Sequence, residues 1–187
     1  YEPRQEYNGF GNINLGLEYG LKTAGNWVFS TTLTFGIPSG KSQAGSDGSY
    51  QTGDGEFNQL LQFNLGSGYG IGKQNFYLKS YFGLNNRTQG FSDEVHSYFE
   101  TGTQVLKNKL LLLTRVHWIK PLYNGTLSAE SSNGSIFANN VESMILGGEM
   151  AFQIGKKWGV SATLTQPLFG KVIFKATTYS GGIFFNL

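Results

Sequence analysis

His96 and His117 are the only imidazoles in this 187-residue chain, and there is no cysteine. A metal site would therefore need further ligands at specific spacing, and none is evident. A serine activated by either ring would also need a third group to orient the base, and none stands out. The chain is accordingly not expected to be an enzyme, and no catalytic residue, metal or cofactor is expected. Asp47, Asp54 and Glu56 crowd the Gly-rich segment Ser39–Gly55. Their spacing does not follow an EF-hand loop, so they read as solvated loop acids rather than calcium ligands. Gly53-Asp54-Gly55 lacks the lysine and the following helix of a phosphate loop. Asn86, Asn124 and Asn133 head Asn-x-Ser/Thr triplets in loop-like stretches, where turn chemistry explains them.

A second set of charges has a shared context. Glu18, Glu56, Lys79, Arg87, Glu100, Arg115, His117 and Glu149 each stand on the polar side of an alternating segment. Such residues can line a permeation path and set its selectivity. They can equally form a salt-bridged interior that fills a small barrel. Glycines recur on the same side, at Gly16, Gly20, Gly36, Gly66, Gly83, Gly102, Gly147 and Gly182. They either leave room for a solute or plug, or let strands bend.

The elements that must position these residues are strands, because the dominant period is two. Ile13, Leu15, Leu17, Tyr19 and Leu21 oppose Asn14, Gly16, Glu18 and Gly20. Trp27, Phe29, Leu33, Phe35 and Ile37 oppose Ser30, Thr32, Thr34 and Gly36. Comparable alternation continues to the C-terminus and predicts about nine strands of roughly ten residues, the length a tilted membrane strand needs. The connections fall into two classes. Lys22–Asn26, Tyr69–Gln74, Lys107–Lys109 and Gly155–Lys157 are short, whereas Pro38–Gly55, Asn86–Asp93 and Pro121–Asn140 are longer. Gln166–Lys171 reads as one more link of the second class, though short.

A soluble sheet would turn the apolar side inward. Three features favour a barrel in lipid, with the apolar side outward and the charges in a wet interior. The alternation persists through nearly every strand. Aromatics cluster near strand ends, with Tyr19, Trp27, Tyr69, Phe76 and Trp158 by the short turns and Phe35, Phe57, Trp118 and Tyr123 by the long loops. Such belts mark membrane interfaces. Aromatics make up 15% of the chain and charged residues 14%, the opposite of a disordered composition. A net charge of +2 without a basic stripe argues against a nucleic-acid partner. The longest aliphatic run, Leu110–Leu113, is far too short for a spanning helix.

The third feature is the C-terminal run. Ser180, Gly182, Phe185 and Leu187 fall in a polar-x-Gly-x-x-aromatic-x-hydrophobic pattern. It resembles the signal by which outer-membrane assembly machinery recognises barrel clients, with Leu187 in place of the usual aromatic. That resemblance implies the bacterial outer membrane as location, with its lipid and the assembly machinery as partners. The expected fold is one all-β domain over residues 1–187, an antiparallel transmembrane β-barrel. If the last strand ends in the periplasm, the long loops lie outside and the first strand starts outside. Bacterial barrels have even strand numbers, so an odd number of strands is expected before Tyr1, giving a total on the order of 10–12. A chain opening on Tyr1 fits a removed leader or a fragment.

A further resemblance covers most of the chain. Gly9-Phe10-Gly11-Asn12-Ile13-Asn14-Leu15-Gly16-Leu17-Glu18-Tyr19 carries it, with Phe35-Gly36-Ile37-Pro38-Ser39-Gly40 and Gln51-Thr52-Gly53-Asp54-Gly55-Glu56. So do Gln166-Pro167-Leu168-Phe169-Gly170 and the final strand. The order resembles outer-membrane barrels described as meta-pathway phenol-degradation proteins, akin to hydrophobic-compound transporters. The resemblance implies a channel for small apolar or aromatic solutes and supplies no catalytic residues. The competing expectation is a structural or docking barrel within a larger outer-membrane complex.

Overall fold

The computed structural model describes residues 8–44, 50–128, 137–173 and 175–185. Nine strands run through them: β1 (Ile13–Ala24), β2 (Trp27–Ile37), β3 (Asn58–Ile71), β4 (Gln74–Arg87), β5 (Glu94–Val105), β6 (Leu110–Pro121), β7 (Glu142–Gln153), β8 (Trp158–Lys171) and β9 (Thr178–Phe185). They form one antiparallel sheet in the order β1 to β9, with each strand beside its sequence neighbour. No helix occurs among the described residues. The sheet is not closed, so the outer edges of β1 and β9 are unpaired among the described residues. Nine antiparallel strands in one sheet form as expected, and the described residues leave that sheet open rather than closed into a barrel.

Register keeps the two faces separate. Leu17 pairs with Leu33, Leu33 with Leu61, and Leu61 with Leu84. Phe63 pairs with Phe82, and further on Leu112 with Met150 and Val160 with Ile183. Because side chains alternate with period two, this register places every one of these residues on one face. That face is uncovered. Phe63, on a strand flanked on both sides, is 53% exposed, and Met150 is 56% exposed. Covering such a side chain is worth roughly 1.5–3 kcal/mol each. A contiguous apolar face of this kind marks an interaction surface.

The tightly packed region lies elsewhere. Among the described residues the buried hydrophobic side chains are Phe91 and Ala138, in the long loops, and the largest fully buried residues include Glu56, Asn139 and Ser92. The loops joining β4–β5 and β6–β7 interlock there. Gly90 accepts backbone bonds from Thr126 and Leu127 at 2.9 Å each. The Asn139 side chain accepts from the Ser92 amide at 2.9 Å and donates to the Leu127 carbonyl at 2.6 Å. Short polar side chains thus satisfy the loop backbone, as buried amides require.

Local chemistry explains the turns. Gly25 and Gly72 take φ of 59° and 62° at the first position of two-residue hairpins, as a type II′ turn requires. Two irregularities correct the sequence reading. A bulge between Gly20 and Lys22 leaves Leu21 as the extra residue and pairs Lys22 with Phe29. The apolar row of β1, which starts at Ile13, therefore ends at Tyr19. Gln166–Lys171 is not a loop but the last part of β8, which continues through Pro167. Proline lacks a ladder donor, and the register shifts beside it, between Met144 and Ile145 of β7.

Candidate functional site

The polar face is organised in cross-strand rows. Nearest the long loops, Arg87 ends β4 and gathers three carboxylates. Its Nε donates to Glu56 Oε1 at 2.8 Å, Nη1 to Glu94 Oε1 at 2.6 Å, and Nη2 to Asp54 Oδ2 at 3.3 Å. The guanidinium carbon also lies 4.4 Å from the centre of the Phe91 ring. Glu56 is fully buried and also accepts from the Thr88 amide and the Asn58 side chain, at 3.0 and 3.2 Å. Glu94 accepts from the Asn85 side-chain Nδ2 at 3.2 Å and sits 3.0 Å from His96 Nε2. These groups border a cavity of about 230 Å³. Asp54 and Glu56 are therefore not the solvated loop acids expected from composition. Arg87, one β-hairpin away, neutralises them, a pairing that only register reveals.

Outside the strands, Asp93 ties two loops together. Its carboxylate accepts from the Arg87 amide at 2.9 Å and from the side-chain amides of Asn124 and Asn86 at 2.7 and 3.2 Å. The Asp93 amide in turn donates to Asn124 Oδ1 at 2.9 Å. The Arg87 N–H first, and the Asn124 amide second, hold the Asp93 carboxyl below the usual carboxylate range.

The middle row is aromatic. Tyr81, Tyr98 and His117 are direct cross-strand partners on β4, β5 and β6. The tyrosine rings stack at 5.2 Å, and Tyr81 Oη lies 3.1 Å from His117 Nε2. The His96 ring is 5.6 Å from that of His117. Both histidines thus meet on neighbouring strands, as the alternation indicates. Among the described residues no group of three or more His, Cys, Asp or Glu is arranged to hold a metal ion.

Below it, Lys79, Glu100 and Arg115 form the next row. Glu100 accepts from Tyr77 Oη at 3.0 Å and from the Tyr98 hydroxyl. Arg115 reaches Glu149 at 3.4 Å, with both side chains partly exposed. Lys79 is exposed and makes no ion pair among the described residues. Glu18 lies apart on the β1 edge, accepting from Ser30 Oγ at 2.6 Å. The predicted charges therefore split four ways: Glu56 with Arg87 in a buried cluster, Arg115 with Glu149 in a partly exposed pair, Glu100 and His117 bonded to tyrosines, and Glu18 and Lys79 standing apart.

The glycines of this face show a third role. A β-carbon at Gly102 would fall 2.6 Å from the Tyr77 ring, at Gly147 3.0 Å from Arg115, and at Gly36 2.4 Å from Asn58. Each is the direct cross-strand partner of the side chain it accommodates. They make room for neighbouring polar-face residues. Gly20 has open space around it, as does Gly148 on the apolar face.

Sequence reasoning passed over Tyr77, Tyr81, Tyr98, Asp93 and Glu94. The signal that could have found them was register: once β4, β5 and β6 are aligned, the tyrosines and histidines share adjacent rows. At the C-terminus, Ser180, Gly182 and Phe185 pair with Thr163, Ser161 and Trp158. Leu187 lies outside the described residues, as do Asp47 and Asn133. No family model, no curated protein and no solved structure matches this chain.

Proposed function

We propose that this sheet forms most of the wall of a membrane-spanning β-barrel in a bacterial outer membrane. Its polar face lines a passive path for small apolar or aromatic solutes. The observation that carries this reading is the separation of faces. Large apolar side chains stand half exposed on flanked strands, while the opposite face holds hydrogen-bonded Tyr, His, Arg and Glu. Water does not favour that arrangement, and lipid outside with water inside does. Stacked aromatic pairs near both ends, Phe35 with Phe57 and Tyr69 with Phe76, support two interfacial belts. Nine alternating strands leave β1 and β9 running the same way, so antiparallel closure takes an odd number of additional strands, from this polypeptide or another. The Tyr81, Tyr98 and His117 row offers ring faces and polar tips to an aromatic solute. No catalytic role is part of this reading.

The test is a planar-bilayer and vesicle-flux measurement on the full-length protein. Conductance together with entry of phenol-sized solutes is expected, with solute flux altered by Tyr81→Ala combined with Tyr98→Ala. Absence of both conductance and flux overturns the proposal.

The unpaired edges of β1 and β9 favour a second reading, a docking or structural barrel subunit whose wall another polypeptide completes. Purification in mild detergent separates the two. A stoichiometric partner supports the second reading, and a monomer that conducts removes it.

A further inference from the structure

The two ends of the sheet differ sharply in charge. Lys22, Lys73, Lys107, Lys109, Lys156 and Lys157 lie in or beside the four short turns, and no Asp or Glu accompanies them. All six are exposed and none makes an ion pair among the described residues. At the long-loop end, by contrast, Asp54, Glu56, Asp93, Glu94 and Glu142 each have a partner: Arg87, Asn124 or Lys171. Lys41, Lys120 and Lys175 at that end stand among these acids, so the short-turn rim is the end whose described charges are all positive.

Its placement is equally specific. Lysines of three of these turns adjoin aromatic residues of the same end: Trp27, Tyr69, Phe76 and Trp158 lie on β2, β3, β4 and β8. The bulge after Gly20 brings Lys22 beside Phe29 on the apolar face. Lysine stems run along apolar surface while the ammonium stays in water, which suits a boundary between the two. The turn joining β1 and β2 stands six strands from the turn joining β7 and β8, about 29 Å measured along the sheet at 4.8 Å per strand. Charges dispersed that widely do not converge on one small anion. They match a layer of headgroups.

We propose that this basic rim binds anionic phospholipid headgroups in the leaflet at the short-turn end, anchoring the sheet at a fixed depth. The proposal rests on the membrane reading above. The attraction is the sum of several single-charge contacts, each screened by salt.

The test uses full-length protein carrying Trp118→Phe, so that quenching reports on Trp27 and Trp158 at the rim. It is reconstituted into phosphatidylcholine vesicles containing either brominated phosphatidylcholine or brominated phosphatidylglycerol. A preference for the anionic lipid of roughly tenfold at low salt is expected, falling as salt rises. Replacing all six lysines by glutamine should abolish it, whereas Lys41→Gln with Lys120→Gln, at the opposite end, should leave it intact. Should the sixfold variant fail to fold, Lys107→Gln with Lys109→Gln, and separately Lys156→Gln with Lys157→Gln, should each remove part of the preference. Equal quenching by the two lipids overturns the proposal, as does a preference that survives the lysine replacements. Lysine-dependent binding of soluble polyglutamate without any lipid preference also overturns it and assigns the rim to an acidic macromolecule. Failure to insert into either vesicle is a separate outcome: it overturns the membrane reading itself, and the lipid proposal with it.

Discussion

The ring of Tyr77 lies directly over Gly102, where a β-carbon would fall 2.6 Å from it, closer than real contacts allow. The two residues are cross-strand partners on β4 and β5. The missing side chain is what lets the tyrosine lie along the polar face and donate to Glu100 at 3.0 Å. Gly102→Ala should therefore push the ring aside and weaken that hydrogen bond. A loss of about 1–3 kcal/mol in unfolding free energy is expected, the usual cost of overpacking. Gly148→Ala, which meets open space, should change stability by less than about 0.5 kcal/mol. Urea titration of the reconstituted protein checks both, and equal effects would remove the steric explanation.

Arg87 holds Glu56, Glu94 and Asp54 together, with Glu56 fully buried. Removing the guanidinium strands carboxylates out of water. Arg87→Met should cost about 3–5 kcal/mol, the range for breaking a buried ion pair from one side. Adding Glu56→Gln to Arg87→Met should recover part of the loss, because one uncompensated charge disappears. Equilibrium unfolding of the single and double variants measures the coupling. A double variant no more stable than Arg87→Met would show that the pairing contributes nothing.

Asp93 gives the molecule an acid-sensitive loop contact. Its carboxyl titrates lower in the folded protein than in the unfolded chain, because the Arg87 amide and the Asn124 side chain bond its charged form. A depressed carboxylate pKa stabilises the fold fully above the unfolded value of about 3.9. That contribution fades as pH falls through the folded value, so the loops joining β4–β5 and β6–β7 should loosen in acid. Melting curves of the parent and of Asp93→Asn should differ by a constant amount above about pH 5 and converge toward lower pH. A difference that persisted unchanged below about pH 2 would contradict the assignment.

A charge placed on the apolar face tests whether that face meets lipid or water. Phe63 and Phe82 are cross-strand partners in the middle of that face, 53% and 48% exposed. Phe63→Arg should destabilise the bilayer-embedded protein by about 2–4 kcal/mol, the cost of a cation at the membrane midplane. On a sheet whose apolar face met water, the same change should fall within about 0.5 kcal/mol. Refolding into vesicles with denaturant titration distinguishes these outcomes.

The alternation of Leu17, Leu33, Leu61 and Leu84 with polar neighbours determined the strands and which residues share a face, because period two is a local property. Gly25 and Gly72 marked two of the turns for the same local reason. The sequence also placed Glu18, Lys79, Glu100, Arg115, His117 and Glu149 on the polar side. What it did not determine were their partners, since a pairing such as Arg87 with Glu56 spans a hairpin and depends on register. Leu21 and Pro167 misled the local reading, because a bulge is a mismatch between two strands and is invisible in either one. The open sheet, the stacked Tyr81 and Tyr98, and the glycines that make room for Tyr77 and Arg115 were likewise decided only by tertiary structure. Each depends on which residue of one strand stands opposite which residue of the next.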